Sequence, residues 1–164
     1  MLNTTITQAA KEMKTLSTAF KIATALSLLG WLLLFAYPLW PQTARALVLT
    51  LVVVLLCAMY AGFVFFGRRF DAPGPKVKGG FSSLGGVINL FKSPRIVLAG
   101  WIHYLAFDLM VGLFIVTDAA RVGILHWWCL PALFLTLMFG PAGLLLYLAM
   151  RLVMLPDTLA LAFF

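Results

Sequence analysis

The feature that most limits this chain is where its charges are missing. Four apolar runs, at about Ile22–Trp40, Ala46–Phe66, Ile96–Val116 and Trp127–Met150, contain a single Asp, Glu, Lys or Arg between them, Asp108. Each run is long enough to cross ~30 Å of hydrocarbon at about 1.5 Å per helical residue. Only 10% of the residues are charged and 63% are hydrophobic. A soluble domain needs about 25% charged residues to cover its surface. These values exclude a soluble enzyme, a disordered segment and a coiled coil. They predict an all-α integral membrane protein, with four transmembrane helices in a bundle. The expected boundaries are a polar N-terminal segment at 1–18, a four-helix membrane domain at 19–151 and an apolar tail at 152–164.

The first run follows Lys21 and precedes Ala44-Arg45-Ala46, which imitates a signal-peptide cleavage site. Its length exceeds a typical h-region of about 7–15 residues, and its end is bulky, so it reads as a retained span stopped by Pro38 and Pro41. Tyr37 and Trp40 suit an interface. Cys57 and Cys129 each lie in an apolar run without a CxxC or Cys/His cluster, and read as small core residues rather than a disulfide or metal site.

The net charge of +7 is read as orientation rather than as a nucleic-acid footprint. With four spans, one side carries Lys11, Lys14, Lys21, Arg68, Arg69, Lys76, Lys78, Lys92, Arg95 and Arg151, and the other only Arg45 and Arg121. This asymmetry predicts both termini on the cytoplasmic side.

The loop between the second and third runs begins with a Pro/Gly turn region, Asp71 to Pro75, followed by Lys76, Lys78, Gly79 and Gly80. Beyond it, Leu84, Val87, Ile88 and Phe91 recur at i, i+3, i+4, i+7, the pattern of a short amphipathic or re-entrant helix. Ser82 or Ser83 can cap its start, and Pro94 limits its end.

Inside the third run, Asp108 costs about 2.5–3.5 kcal/mol to insert and must find partners. Tyr104 lies four residues earlier on the same face, with Trp101 near it and His103 on the flank. One reading makes Asp108 an acid/base group with His103 or Tyr104, since burial moves both an Asp and a His toward neutrality. The other makes it a polar clamp to Tyr104, Thr136 or a backbone group. A haem on His103 is disfavoured, because the other histidine, His126, lies beyond the end of the same helix. In the fourth run, Gly140-Pro141 is expected to kink one spanning helix, either for packing or to open a cavity opposite Asp108.

The segments Phe81-Ser82-Ser83-Leu84, Gly86-Val87, Leu90-Phe91, Ala99 to Leu109 and Phe139-Gly140-Pro141-Ala142-Gly143-Leu144 resemble the abscisic-acid-deficient-four-like family. These are small four-helix membrane proteins of bacteria, algae and plants. The resemblance covers about residues 20–151. The plant member is needed to form neoxanthin from violaxanthin. The resemblance therefore implies an epoxide-opening isomerisation of a carotenoid or related isoprenoid lipid, which requires no redox cofactor. It implies Asp108 as acid, His103 as base and Tyr104 assisting, with Trp101, Asn89, Thr136 and Phe139 as ligand-binding residues. Where bacterial members carry an Arg-Trp pair after the glycine matching Gly112, this chain has Leu113 and Phe114. The N-terminus lacks the character of a plastid transit peptide, so a bacterial inner membrane is expected. The expected partners are the bilayer and an isoprenoid ligand, not nucleic acid, and a homo-oligomer stays open. The alternative is a non-catalytic membrane protein that binds a hydrophobic ligand or partner during complex assembly.

Overall fold

The computed structural model describes residues 2–71 and 79–155. The Pro/Gly turn with Lys76 and Lys78, and the apolar tail from Pro156, lie outside the described residues. Among the described residues all regular structure is helical. The chain forms α1 (Leu2–Phe35), α2 (Pro41–Ala46), α3 (Val54–Phe65), α4 (Leu84–Leu90), α5 (Pro94–Val122), α6 (His126–Phe139) and α7 (Pro141–Met154). A π-helical stretch, Leu47–Val53, joins α2 to α3, so helical backbone continues from Pro41 to Phe65. Three helical segments, Thr7–Phe35, Pro41–Phe65 and Pro94–Val122, are long and apolar enough to cross a membrane. The helices α6 and α7 are shorter apolar helices.

The chain divides into two compact units, one of Met1–Ala25 with Leu55–Leu105 and one of Leu26–Val54 with Ala106–Phe164. The chain passes between the units within α1, α3 and α5.

In the first unit, Leu56 and Ile102 are fully buried. Arg95, at the start of α5, forks onto Asp71 with Nε–Oδ1 at 2.7 Å and Nη2–Oδ2 at 3.0 Å. Its Nη1 donates to the Phe63 carbonyl at 2.7 Å, in the last turn of α3. A cation there satisfies an orphan carbonyl and complements the negative end of the helix. Arg95 is thus buried in an ion pair rather than being a free loop charge. The expected short helix is present as α4, and Ser83 is its cap, accepting from the Gly86 N–H at 3.1 Å. Leu84 and Ile88 of α4, and Phe81 and Phe91 flanking it, are exposed. Pro94 takes the first position of α5, where its missing N–H costs nothing.

In the second unit, α1 stops at Phe35, earlier than the apolar run, because Pro38 disfavours helical geometry in the residue before it. Tyr37 is buried there and does not face outward, while Trp40 is exposed. Gly112 lets α5 approach Trp31 and Leu34 of α1, and Gly30 lets α1 approach Leu109 and Val52. The wider π-helical turn puts Val48, Val52 and Val53 all in the interior. Cys129 is buried as expected, whereas Cys57, in the first unit, is exposed, since α3 turns that position outward.

The fourth apolar run differs most from expectation. It is not one kinked helix but two 14-residue helices folded back on each other. A Cβ at Gly143 would fall on the Thr136 hydroxyl and the backbone of Ala132 and Thr136. Along a continuous helix, Gly143 and Ala132 would be about 16 Å apart. The reversal occurs at Gly140, whose φ of +39° and ψ of −91° end α6, and Pro141 then starts α7.

Candidate functional site

Asp108 stands halfway along α5 and is buried. Its carboxylate lies against Gly140, the turning point of the α6–α7 hairpin, where a Cβ would collide with Oδ1. Gly140 is therefore required twice, by its positive φ and by the approach of the carboxylate. One residue on, α7 begins, and its first N–H groups carry the partial positive charge of a helix start. The Gly140-Pro141 pair thus does more than bend a helix. It brings a helix N-terminus to a buried acid.

Two partners of the expected ligand set lie on the same hairpin. Thr136 is fully buried and donates its hydroxyl to the Ala132 carbonyl at 2.7 Å, under the Gly143 crossing. Phe139 precedes the turn and is exposed.

The other α5 candidates belong to the first unit. Trp101 donates its indole N–H to Thr24 Oγ1 at 3.3 Å and packs on Phe20, with ring centroids 5.6 Å apart. Trp101 and Tyr104 do come together, with centroids at 5.7 Å and planes at 27°. His103 packs on Tyr60 of α3, with centroids at 5.5 Å. The pairing of Trp101 with Tyr104 follows from their i, i+3 spacing. The pairing of His103 with Tyr60 does not follow from local spacing. Asn89, on α4, accepts from Lys92 Nζ at 2.8 Å on the exposed surface.

A second buried carboxylate is absent from the sequence expectations. Asp118 lies inside α5, which extends to Val122 rather than ending at Val116. Arg121 Nη2 bonds its Oδ1 at 2.7 Å. Tyr147 Oη and Arg151 Nε donate to its Oδ2 at 2.6 and 2.7 Å. Arg151 and Tyr147 are fully buried. Arg121 and Arg151, expected on opposite sides of the membrane, share one acid. The signals available in the sequence were the i, i+3 spacing of Asp118 and Arg121 and the i, i+4 spacing of Tyr147 and Arg151. With both oxygens engaged by cations, Asp118 is suited to holding helices together. His126, at the start of α6, meets the Phe35 carbonyl at the end of α1 through Nε2, at 3.0 Å.

The two carboxylates differ in chemical environment. Asp118 is neutralised by two guanidinium groups, whereas Asp108 is enclosed beside a helix start and the Gly140 turn.

No curated protein and no solved structure matches this chain. The profile of the ABA DEFICIENT 4-like (ABA4-like) family matches residues 18–147. That stretch includes Asp108, the Gly140 turn and most of the hairpin, and it leaves out the first helical turns of α1 and the end of α7. The chain belongs to the ABA DEFICIENT 4-like family.

Proposed function

We propose that the chain is a multi-pass membrane protein that isomerises a carotenoid or related isoprenoid lipid, with Asp108 as its acid. Family membership supports a role connected with neoxanthin-type chemistry. Three long apolar helices support membrane insertion. The observation that carries the reading is the Asp108 carboxylate, enclosed at the middle of α5 against Gly140.

The chemistry balances without an oxidant. A carboxylic acid gives its proton to an epoxide oxygen as the ring C–O bond opens. A base takes a vinylic proton from the adjacent carbon, and the electron pair of that C–H bond completes an allene. Substrate and product are isomers, and proton return from base to acid resets the site. We assign the acid to Asp108 and the base to His103, with Tyr104 assisting. Trp101, Asn89, Thr136 and Phe139 are assigned to binding the apolar ligand. The membrane is proposed to be a bacterial inner membrane, with the basic loop and the N-terminus on the cytoplasmic side.

The test is to extract pigments and lipids from cells that supply a 5,6-epoxycarotenoid. Cells with the intact protein are compared with cells carrying Asp108→Asn or His103→Ala, each variant measured in the membrane fraction. An allenic isomer formed only with the intact protein is the expected result. An unchanged product profile in both variants sinks the catalytic assignment and leaves the ligand-binding assembly role.

A further inference from the structure

The fold-back of α6 on α7 bears on membrane topology, since four full spans would put both termini on one side. We infer that α6 and α7 form a re-entrant hairpin. It enters and leaves the bilayer on the face opposite the basic loop, with its tip beside Asp108. This inference rests on the membrane reading above.

Three contacts within one compact unit give the direction of each arm. His126, at the start of α6, meets Phe35 at the end of α1, and follows directly on the end of α5. Gly140, at the turn, meets Asp108, halfway along α5. Arg151, near the end of α7, meets Asp118, four residues from the end of α5. From Asp108 to Asp118, α5 advances about 15 Å, and α7 advances a similar distance from Gly140 to Arg151. So α6 descends from the end of α5 to its midpoint, and α7 returns alongside α5 to the level where α6 began.

Length agrees with direction. Each arm has 14 residues, or about 21 Å, which is short of the ~30 Å needed to span. The polar groups agree as well. Arg151 on a spanning fourth helix would emerge beside the basic loop, yet its guanidinium is fully buried on Asp118. Non-helical backbone such as the Gly140 turn is tolerated at membrane depth only when it is buried in protein, and here it lies on α5. The charge bias survives. With Arg151 moved across, nine of the 12 Lys and Arg residues remain on the side of the N-terminus and basic loop. Met154, at the end of α7, is thereby placed on the face opposite the basic loop.

The test is cysteine labelling in the full-length protein with Cys57→Ala and Cys129→Ala as background. Single cysteines are introduced by Ser82→Cys in the basic loop, Leu125→Cys before α6 and Met154→Cys at the end of α7. Right-side-out and inside-out vesicles are treated with a membrane-impermeant maleimide. The expected result is labelling of positions 125 and 154 from one side and position 82 from the other. A reporter fused to the C-terminus, with the native helices intact, should score on the side of position 125. Labelling of position 154 together with 82 overturns the hairpin and leaves the membrane reading standing. Labelling of all three positions from both sides overturns the two together.

Discussion

Asp118 and Arg151 meet at 2.7 Å, and neither side chain reaches the surface. They come from α5 and α7, and Arg121 completes the cluster on the other carboxylate oxygen. Breaking a buried pair from one side leaves a charge without compensation, at a cost of about 3–5 kcal/mol. Asp118→Asn removes the charge that both arginines share, whereas Arg151→Met leaves Asp118 paired with Arg121. The expected order of stability in detergent is therefore intact protein, then Arg151→Met, then Asp118→Asn. Thermal unfolding measures it, and equal Tm values for the two variants would show that Arg121 contributes nothing.

Tyr147 adds a hydroxyl to the same acid at 2.6 Å, from a fully buried position. Tyr147→Phe keeps the ring and its edge-on contact with Phe114. The loss is one hydrogen bond to a charged acceptor, about 1.5–3 kcal/mol. Denaturant titration should show a lower midpoint with an unchanged slope.

Gly140 and Asp108 are coupled by contact. Gly140→Ala is expected to destabilise through its backbone, by about 1–3 kcal/mol for a residue held at positive φ, and further through collision with the carboxylate. In an Asp108→Ala background only the backbone part remains. A double-mutant cycle should return a coupling of about 0.5–3 kcal/mol. Strict additivity would place the carboxylate away from the turn.

Gly143 and Gly62 make opposite predictions for the same substitution. A methyl group at Gly143 would sit within the α6 backbone, so Gly143→Ala should force the hairpin open and cost more than the about 1–3 kcal/mol of ordinary overpacking. Gly62 lies inside α3 with open space around its Cα, so Gly62→Ala should be neutral or stabilise by up to about 1 kcal/mol of helix propensity. Tm values of the two variants in one detergent decide it.

Arg95 tests whether its fork geometry matters. Arg95→Lys keeps the charge but cannot bond both Asp71 oxygens and the Phe63 carbonyl together. The expected outcome is faster proteolysis of the loop between α3 and α4, and Asp71→Asn should act in the same direction but less, since Asp71 is partly exposed. Unchanged cleavage in Arg95→Lys would make the pair a surface contact of no consequence.

How much of this was legible in the sequence depends on whether the cause is local. The amphipathic pattern from Leu84 to Phe91 and the serine before it specify α4 and its cap, because both act within one turn. The stacking of Trp101 and Tyr104 follows from helical spacing for the same reason. The contact of Tyr60 with His103 and the cluster on Asp118 join helices distant in sequence, and no periodicity carries such pairings. Asp118 lies beyond the apolar run, which ends by composition at Val116, whereas α5 continues through it to Val122.

By itself, the sequence determined the helical class, the long apolar segments, the family and the presence of an aspartate, Asp108, within an apolar run. Apolar composition and periodicity are properties of a single segment and need no partner. The tertiary structure decided what Gly140-Pro141 does. Either a kink or a full reversal is compatible with those two residues. The reversal is held by Gly143 on the α6 backbone, by Asp108 at the turn and by Asp118 with Arg151 at the open end. Those three contacts are made between helices, so they exist only once the chain has folded.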